Sequence, residues 1–264
     1  MKSNHQNNRG TVVLTGACGL LGSALLEPLL EDGWHIIAVD LLKPEQSYKN
    51  VDFIQFDLSE VKKYDQLVAR INALASNLKA LINNAGVNAH VEKSFKDFSK
   101  FENTNLEDWD YQMRVNLTAP VFLTKELLSS FCHQDKKPCK VINVTSMYGV
   151  VAPNHEIYSL NVELKVGRHY KPIAYPVSKA ALDMATRYLA TYLATKGFNV
   201  NAIAPGGIEN KTQQEFIENY SKLSPIKRMA NVSEMSEAFK FLLGPGSNYM
   251  CGHTLVVDGG WSVW

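Results

Sequence analysis

The chain alternates short apolar runs with longer segments whose apolar residues recur three or four positions apart. Thr11–Thr15 is a β-rich run. A glycine-rich turn follows, then a helical pattern over Leu20–Leu30 that stops at Gly33, a residue suited to a helix C-cap. His35–Val39 and Val51–Phe56 read as the second and third strands. Ser59 offers an N-cap for a helix running towards Leu74, and Leu78–Ile82 reads as the fourth strand. Asn105, with Asp108 three residues on, resembles the cap of a long helix through Phe131. Lys140–Thr145 follows as the fifth strand, Ile173–Thr195 as a long helix, Asn199–Ile203 as the sixth strand and His253–Val257 as the seventh. Such alternation predicts right-handed crossovers and an α/β fold, a doubly wound parallel seven-stranded sheet with helices on both faces. No repeat, low-complexity stretch or linker divides the chain, so residues 1–264 are expected to form a single domain.

Composition narrows the class. With 264 residues, 45% of them hydrophobic and 20% charged, the chain can bury the core of one large domain. Its 27 basic and 26 acidic residues leave a net charge of +1, which gives no footprint for nucleic acid or an anionic membrane. No apolar run approaches the ~20 residues that span a bilayer. The N-terminus, MKSNHQNNRG, lacks the apolar stretch of a secretory signal and reads as a disordered lead-in, so a cytoplasmic location is expected. Cys18, Cys132, Cys139 and Cys251 form no CxxC pair and are expected to be buried or half-buried free thiols. With no HxxxH or HExxH among seven histidines, no protein metal site is expected. The Asn-x-Ser/Thr triplets at Asn116, Asn143, Asn210 and Asn231 are read as chance matches.

Two motifs carry chemistry. Gly16-Ala17-Cys18-Gly19-Leu20-Leu21-Gly22 sits directly after a strand and opens a helix. Glycines there permit a tight turn and let backbone N–H groups approach a pyrophosphate resting on the positive end of the helix. Asp40 closes the second strand, where a carboxylate can accept from the adenosine ribose hydroxyls and repel a 2′-phosphate. No arginine accompanies it, although Lys43 is close, so NAD(H) is favoured over NADP(H). The second motif is Tyr175-x-x-x-Lys179, which places a lysine and a phenol on one helix face. A neighbouring cation, with hydrogen bonding to the cofactor ribose, lowers a phenol pKa towards the working pH of a general acid–base group.

Taken in order, Thr15-Gly16 to Gly22, Asp57-Leu58, Asn83-Asn84-Ala85-Gly86, Val115-Asn116, Ser146, Tyr175-x-x-x-Lys179, Pro205-Gly206 and Val257-Asp258-Gly259-Gly260 resemble the short-chain dehydrogenase/reductase family along nearly the whole chain. The resemblance implies a Rossmann domain and a catalytic set of Asn116, Ser146, Tyr175 and Lys179. Ser146 hydrogen-bonds the reacting oxygen in that reading, Tyr175 exchanges its proton, and Asn116 holds a water that relays protons to Lys179. The implied cofactor contacts are Gly16, Cys18, Gly19, Leu20 and Leu21 in the turn, Asp40, and Asp57 and Leu58 against the adenine. Asn84, Ala85 and Gly86 lie beneath the adenosine ribose. Tyr175 and Lys179 also belong to the cofactor set, and Pro205, Gly206 and Ile208 back the nicotinamide. The family further implies a small-molecule substrate and a homotetramer or homodimer, with the long helices packed between subunits.

Three departures bear on the substrate. The glycine spacing looks like the extended branch with its nucleotide-sugar epimerases and dehydratases, whereas the C-terminal half looks like the shorter dehydrogenases. A threonine usual after Pro-Gly is replaced by Glu209-Asn210, with Thr212 further on. Finally, Ser146 and Tyr175 are widely separated by extra residues at about 150–172. This insertion carries Asn154, His155, Glu156, Tyr158, Arg168, His169 and Tyr170, and it either binds a polar or anionic substrate or makes a subunit contact. Tyr148, His155, Tyr158 and Arg168 are the candidate substrate residues. With the glycine turn and Ala204–Ile208, the insertion looks similar to oxidoreductases of bacterial flagellin-modification and nonulosonate sugar pathways.

The leading expectation is therefore an NAD(H)-dependent oxidoreductase acting on a sugar or nucleotide-linked sugar. A reductase of 3-oxoacyl or simple ketone substrates stands beside it, supported by the apolar Val150, Val151 and Ala152. A hydride-recycling epimerase is a weaker variant. A dinucleotide-sensing protein without turnover has no need for all four catalytic-type residues.

Overall fold

In the computed structural model the described residues are 9–44, 46–88, 100–133, 137–158, 170–210 and 214–264. The strands are β1 (Gly10–Thr15), β2 (Trp34–Asp40), β3 (Val51–Gln55), β4 (Leu78–Asn83), β5 (Cys139–Val144), β6 (Phe198–Pro205) and β7 (Thr254–Val257). They form one parallel sheet in the order β3-β2-β1-β4-β5-β6-β7. The order reverses between β1 and β4, and the crevice above such a switch point is where open α/β sheets hold ligands.

Successive strand residues face opposite sides, so the apolar runs feed two cores. Val13, Ile37, Leu81, Val141 and Val200 pack on one face against α2 (Tyr64–Leu74), α4 (Ala119–Leu127) and α5 (Ala174–Leu193). Val12, Leu14, Ile36, Ile82 and Ile203 pack on the other against α1 (Leu20–Glu31) and α7 (Glu234–Leu243). A third cluster joins Met147, Tyr148, Ile157, Tyr220, Met229 and Trp261 beyond the C-terminal end of the sheet. Tyr220 comes from α6 (Gln214–Leu223).

The long helix predicted from Asn105 is present, but it is not uniform. Asn105 caps α3 (Leu106–Met113) by accepting the Asp108 N–H at 2.8 Å. A π-helical turn over Arg114–Thr118 then inserts an extra residue before α4. Gly33 follows the end of α1 with φ +89°, the left-handed conformation suited to glycine at a helix stop. Ser59 does not cap α2. Its N–H donates to Asp57 Oδ1 at 2.8 Å, a short 3₁₀ turn follows over Val61–Lys63, and the helix starts at Tyr64. The Asp57 carboxylate thus takes the turn that a serine cap would otherwise have organised. Cys139 is buried and Cys18 and Cys132 half-buried, but Cys251 is exposed at the start of the loop into β7. Of the N-terminal lead-in, residues 1–8 lie outside the described residues, whereas Arg9 pairs with Asp32 and Gly10 already begins β1. Among the described residues, no helix is long and apolar enough to cross a membrane.

Candidate active site

The strand ends at the switch point open into a cavity of about 1140 Å³. At its base lies the glycine turn. Gly16 adopts φ +66°, and a Cβ there would stand 2.7 Å from the Ala85 Cα. A Cβ on Gly22 would meet the Gly16 carbonyl oxygen at 2.0 Å, so the first turn of α1 packs onto the turn in a way that only glycine allows. No side chain caps the N-terminus of α1. Its first-turn N–H groups therefore remain available to an anion at the positive end of the helix. That close packing and uncapped helix end fit the pyrophosphate of a dinucleotide.

The chain after β4 braces this turn. The N–H groups of Asn84 and Ala85 donate to Thr15 Oγ1 at 3.0 and 3.1 Å, and Asn84 Nδ2 donates to the Thr15 and Gly16 carbonyls at 2.9 and 3.0 Å. At the end of β2 the Asp40 carboxylate accepts from the Cys18 N–H at 2.8 Å and the Leu42 N–H at 2.9 Å. Asp40 is therefore also a structural clamp on the glycine turn, a role its sequence position did not disclose. Burial, with the Asp40 charge, pushes the Cys18 thiol pKa up.

Gly16, Cys18, Gly19, Leu20, Leu21, Asp40, Asp57, Leu58, Asn84, Ala85 and Gly86 all line the cavity. Pro205, Gly206 and Ile208 line it from the end of β6. Ile208 bridges to Ala230, but the hydrogen bonds run from Ala230 N–H to the Gly207 carbonyl and from Glu209 N–H to the Ala230 carbonyl. Ile208's own peptide groups are left out of that pairing. Asn210 also lines the cavity, and Thr212 lies outside the described residues.

The catalytic-type residues meet between β5, α5 and the π turn. Ser146 follows β5 with its Oγ accepting the Tyr148 N–H at 3.2 Å, and it lines the same cavity wall as Tyr175. One turn along α5, the fully enclosed Lys179 ammonium donates to the Val144 carbonyl at 2.8 Å and lies 5.8 Å from the centre of the Tyr175 ring. Burial pulls the Lys179 pKa down to about 8. For Tyr175 the direction differs from the sequence expectation. Burial raises the phenol pKa, and the neighbouring Ser146 hydroxyl opposes that rise. In the chain alone, desolvation outweighs that opposing effect.

Asn116 is fully buried in the π turn. Its Nδ2 donates to the Val87 carbonyl at 2.9 Å and to Ser178 Oγ at 3.1 Å, while its Oδ1 accepts the Val87 N–H at 2.7 Å. Single π turns recur at functional sites because they turn one side chain out of helical register.

The described ends of the insertion pack against this site. Tyr158 donates its hydroxyl to the Tyr148 hydroxyl at 2.9 Å and tilts against Phe216 of α6, and burial raises both phenol pKa values. Tyr148 and Tyr158 line the cavity. His155 is not among the lining residues. Its Nδ1 accepts the Lys171 N–H at 3.3 Å, and its ring meets Tyr170 edge-on, so it braces the returning chain. Arg168 lies outside the described residues.

Sequence reasoning passed over two contributors. Lys171 lines the cavity with its ammonium 4.0 Å from the centre of the Tyr175 ring, and α6 supplies Phe216 and Tyr220. A signal for α6 was present, because Phe216, Ile217, Tyr220 and Leu223 repeat at helical spacing.

Comparison with known proteins agrees with this architecture. The family described as enoyl-(acyl carrier protein) reductase, a short-chain dehydrogenase grouping, matches residues 21–262. A 2-dehydro-3-deoxy-D-gluconate 5-dehydrogenase of Dickeya dadantii is 26% identical, over 97% of this chain and 96% of its own length. Post-translational flagellin modification protein A of Campylobacter coli is 25% identical, over 96% of this chain and 98% of its own. An uncharacterized relative from Sinorhizobium fredii is longer, and the chain spans 43% of it. Among solved structures, a short-chain dehydrogenase of Leptospira borgpetersenii with bound NAD+ superposes with TM-score 0.83 at 29% identity, covering 96% of this chain and 92% of that one.

Proposed function

The chain belongs to the short-chain dehydrogenase/reductase family of oxidoreductases, and on that premise we propose that it interconverts a secondary alcohol and a ketone on a sugar or nucleotide-linked sugar, with NAD(H) preferred over NADP(H). The single observation that carries this reading is the convergence of Ser146, Tyr175 and Lys179, the last fixed by the Val144 carbonyl one helical turn from Tyr175, at the wall of a cavity whose far end holds the glycine turn.

The residues divide the work. Tyr175 gives its phenolic proton to the oxygen of a ketone as alkoxide charge develops, and recovers a proton from an alcohol in the opposite direction. Ser146 donates a second hydrogen bond to that same oxygen, pre-placed where the charge appears. The Lys179 ammonium, held by the Val144 carbonyl, stabilises the phenolate that remains on Tyr175. Asn116 secures the π turn beside Lys179 and positions a water between them. Gly16, Cys18, Gly19, Leu20 and Leu21 would hold the cofactor pyrophosphate and Asp40 its adenosine ribose. Asp57 and Leu58 would hold the adenine, Asn84 to Gly86 the adenosine side, and Pro205, Gly206 and Ile208 the nicotinamide. A bound nicotinamide dinucleotide supplies or accepts the hydride.

The hydroxyl pair of Tyr148 and Tyr158 at the cavity wall supports a polyhydroxylated substrate, and the likeness to a flagellin modification protein supports a place in a cell-surface or flagellin glycan pathway. The exposed Leu106, Met184, Tyr188 and Tyr192 on the long helices support a homotetramer or homodimer. A second reading, a 3-oxoacyl or simple ketone reductase, draws on the apolar Met147, Phe216 and Met229 at the same wall. NAD(H) turnover against sugars, nucleotide sugars and 3-oxoacyl thioesters separates the two. Turnover confined to the thioesters would overturn the sugar reading.

A further inference from the structure

Lys171 stands out among the charged groups of the cavity. It enters the site from the insertion, four residues before Tyr175, and its backbone is fixed on both sides. Its N–H donates to His155 Nδ1 at 3.3 Å, and the next residue, Pro172, offers its carbonyl to the Tyr175 N–H at 3.3 Å. The side chain then lies across two aromatic rings. Its Nζ is 4.0 Å from the centre of the Tyr175 ring and 5.7 Å from that of Tyr148.

Among the described residues this ammonium has neither an ion pair nor a hydrogen-bond acceptor. The acidic residues that line the cavity are Asp40 and Asp57, at the ends of β2 and β3, whereas Lys171 sits over the β5 side with Ser146, Tyr148 and Tyr175. The other lysine at this end, Lys179, is committed to the Val144 carbonyl. Faces of aromatic rings offset only part of the cost of withdrawing a cation from water. Burial and the Lys179 charge together pull the Lys171 pKa down to about 8, which leaves it mostly protonated at neutral pH. A desolvated cation without a counter-charge favours the arrival of an anion.

We propose that Lys171 binds a compact oxyanion, a carboxylate or phosphate carried by the substrate, beside the alcohol or ketone that Ser146 and Tyr175 handle. The substrate is then an acid or phosphoester rather than a neutral sugar. This rests on the oxidoreductase reading only for where the substrate lies. A lysine suits the task as a point charge on a flexible stem, able to meet either oxyanion without the planar match that an arginine fork requires. The neighbouring Tyr148–Tyr158 hydroxyl pair gives the same region further polar contacts.

The test uses the full chain saturated with NADH, which fills the pyrophosphate site and leaves the substrate end open. Succinate and inorganic phosphate are titrated separately while NADH fluorescence is followed, in the native protein, Lys171→Met and Lys171→Arg. The expected result is saturable binding of at least one anion, weakened at least ~10-fold by Lys171→Met and restored by Lys171→Arg, with NADH affinity retained as the control for folding. Whichever anion shows this dependence identifies the oxyanion class. Absence of binding by both anions, or equal binding in the native protein and Lys171→Met, overturns the proposal. Kinetics with a hydroxy acid and its neutral amide supply a second readout. Lys171→Met raises KM for the acid and leaves the amide unchanged, whereas an equal loss on both would mean that Lys171 only packs against Tyr175. Lysine-dependent anion binding without turnover of any alcohol or ketone would instead uphold the anion site and sink the oxidoreductase reading.

Discussion

Asn116 and Val87 are joined by two reciprocal hydrogen bonds, Val87 N–H to Asn116 Oδ1 at 2.7 Å and Asn116 Nδ2 to the Val87 carbonyl at 2.9 Å. The pair ties the loop after β4 to the π turn of the long helix, close to the Lys179 ammonium: a Cβ on Gly86 would lie 3.2 Å from Lys179 Nζ and 3.5 Å from Asn116 Oδ1. Asn116→Ala leaves the Val87 peptide groups and Ser178 Oγ without this partner. A loss of about 1–3 kcal/mol in stability is expected from denaturant unfolding. Turnover is expected to fall further than stability explains, because the relay proposed beside Lys179 goes with it. A variant with native turnover would remove Asn116 from the working set.

Asp40 serves two masters, a ribose in the proposed reading and the Cys18 and Leu42 N–H groups in the structure. Asp40→Ala is therefore expected to relax discrimination against NADP(H) and also to weaken NAD(H), since the glycine turn loses its clamp. Asp40→Asn keeps a side-chain acceptor and sheds the charge, so it should relax discrimination with less loss of NAD(H) affinity. Comparing Kd for both cofactors across the two variants checks this; an unchanged NAD(H) preference in both refutes the role.

The strands, the glycine turn and the Tyr175–Lys179 pair were legible because each rests on a short local pattern: an apolar run, a strand–turn–helix junction, a four-residue spacing on one face. The π turn was not, since Arg114–Thr118 carries the same periodicity as the helices it joins and the extra residue is set by Asn116 pairing with a distant loop. Ser59 looked like a cap because serine favours that position, yet the Asp57 carboxylate took its N–H and moved the helix start to Tyr64. Helix α7 did show helical spacing at Met235, Phe239 and Leu242 and was passed over beside the stronger motifs. Lys171 had no sequence signal, because its place over Tyr175 depends on how the insertion returns. His155 failed as a cavity residue for the same reason, its ring nitrogen being used by the Lys171 N–H.

Lys140 reports the pH response of the fold away from the site. Its ammonium is buried against Ser247 Oγ at 3.1 Å and Asn248 Oδ1 at 2.8 Å, and burial pulls its pKa from 10.5 down to about 8. A lysine lowered on folding costs stability while it is charged, below pH 8, because the folded chain pays to keep a buried cation. Between about 8 and 10.5 the unfolded chain holds a proton that the folded chain has released, so stability rises with pH across that window. One full proton corresponds to about 1.4 kcal/mol per pH unit. Lys140→Met is expected to flatten the rise by up to that amount in denaturant titrations over the window, while Lys171 and Lys179, lowered in the same direction, keep part of it. Identical slopes in the two proteins would contradict the shift.

The most direct test of the central claim, that Tyr175 moves the proton, is NAD(H)-dependent turnover by Tyr175→Phe beside a measurement of its NADH binding. The substitution removes one hydroxyl from an otherwise unchanged ring and keeps the packing under Lys171 and beside Lys179. The predicted result is a fall in kcat of at least ~100-fold with NADH binding retained. Turnover near the native rate, with the cofactor still bound, would contradict it.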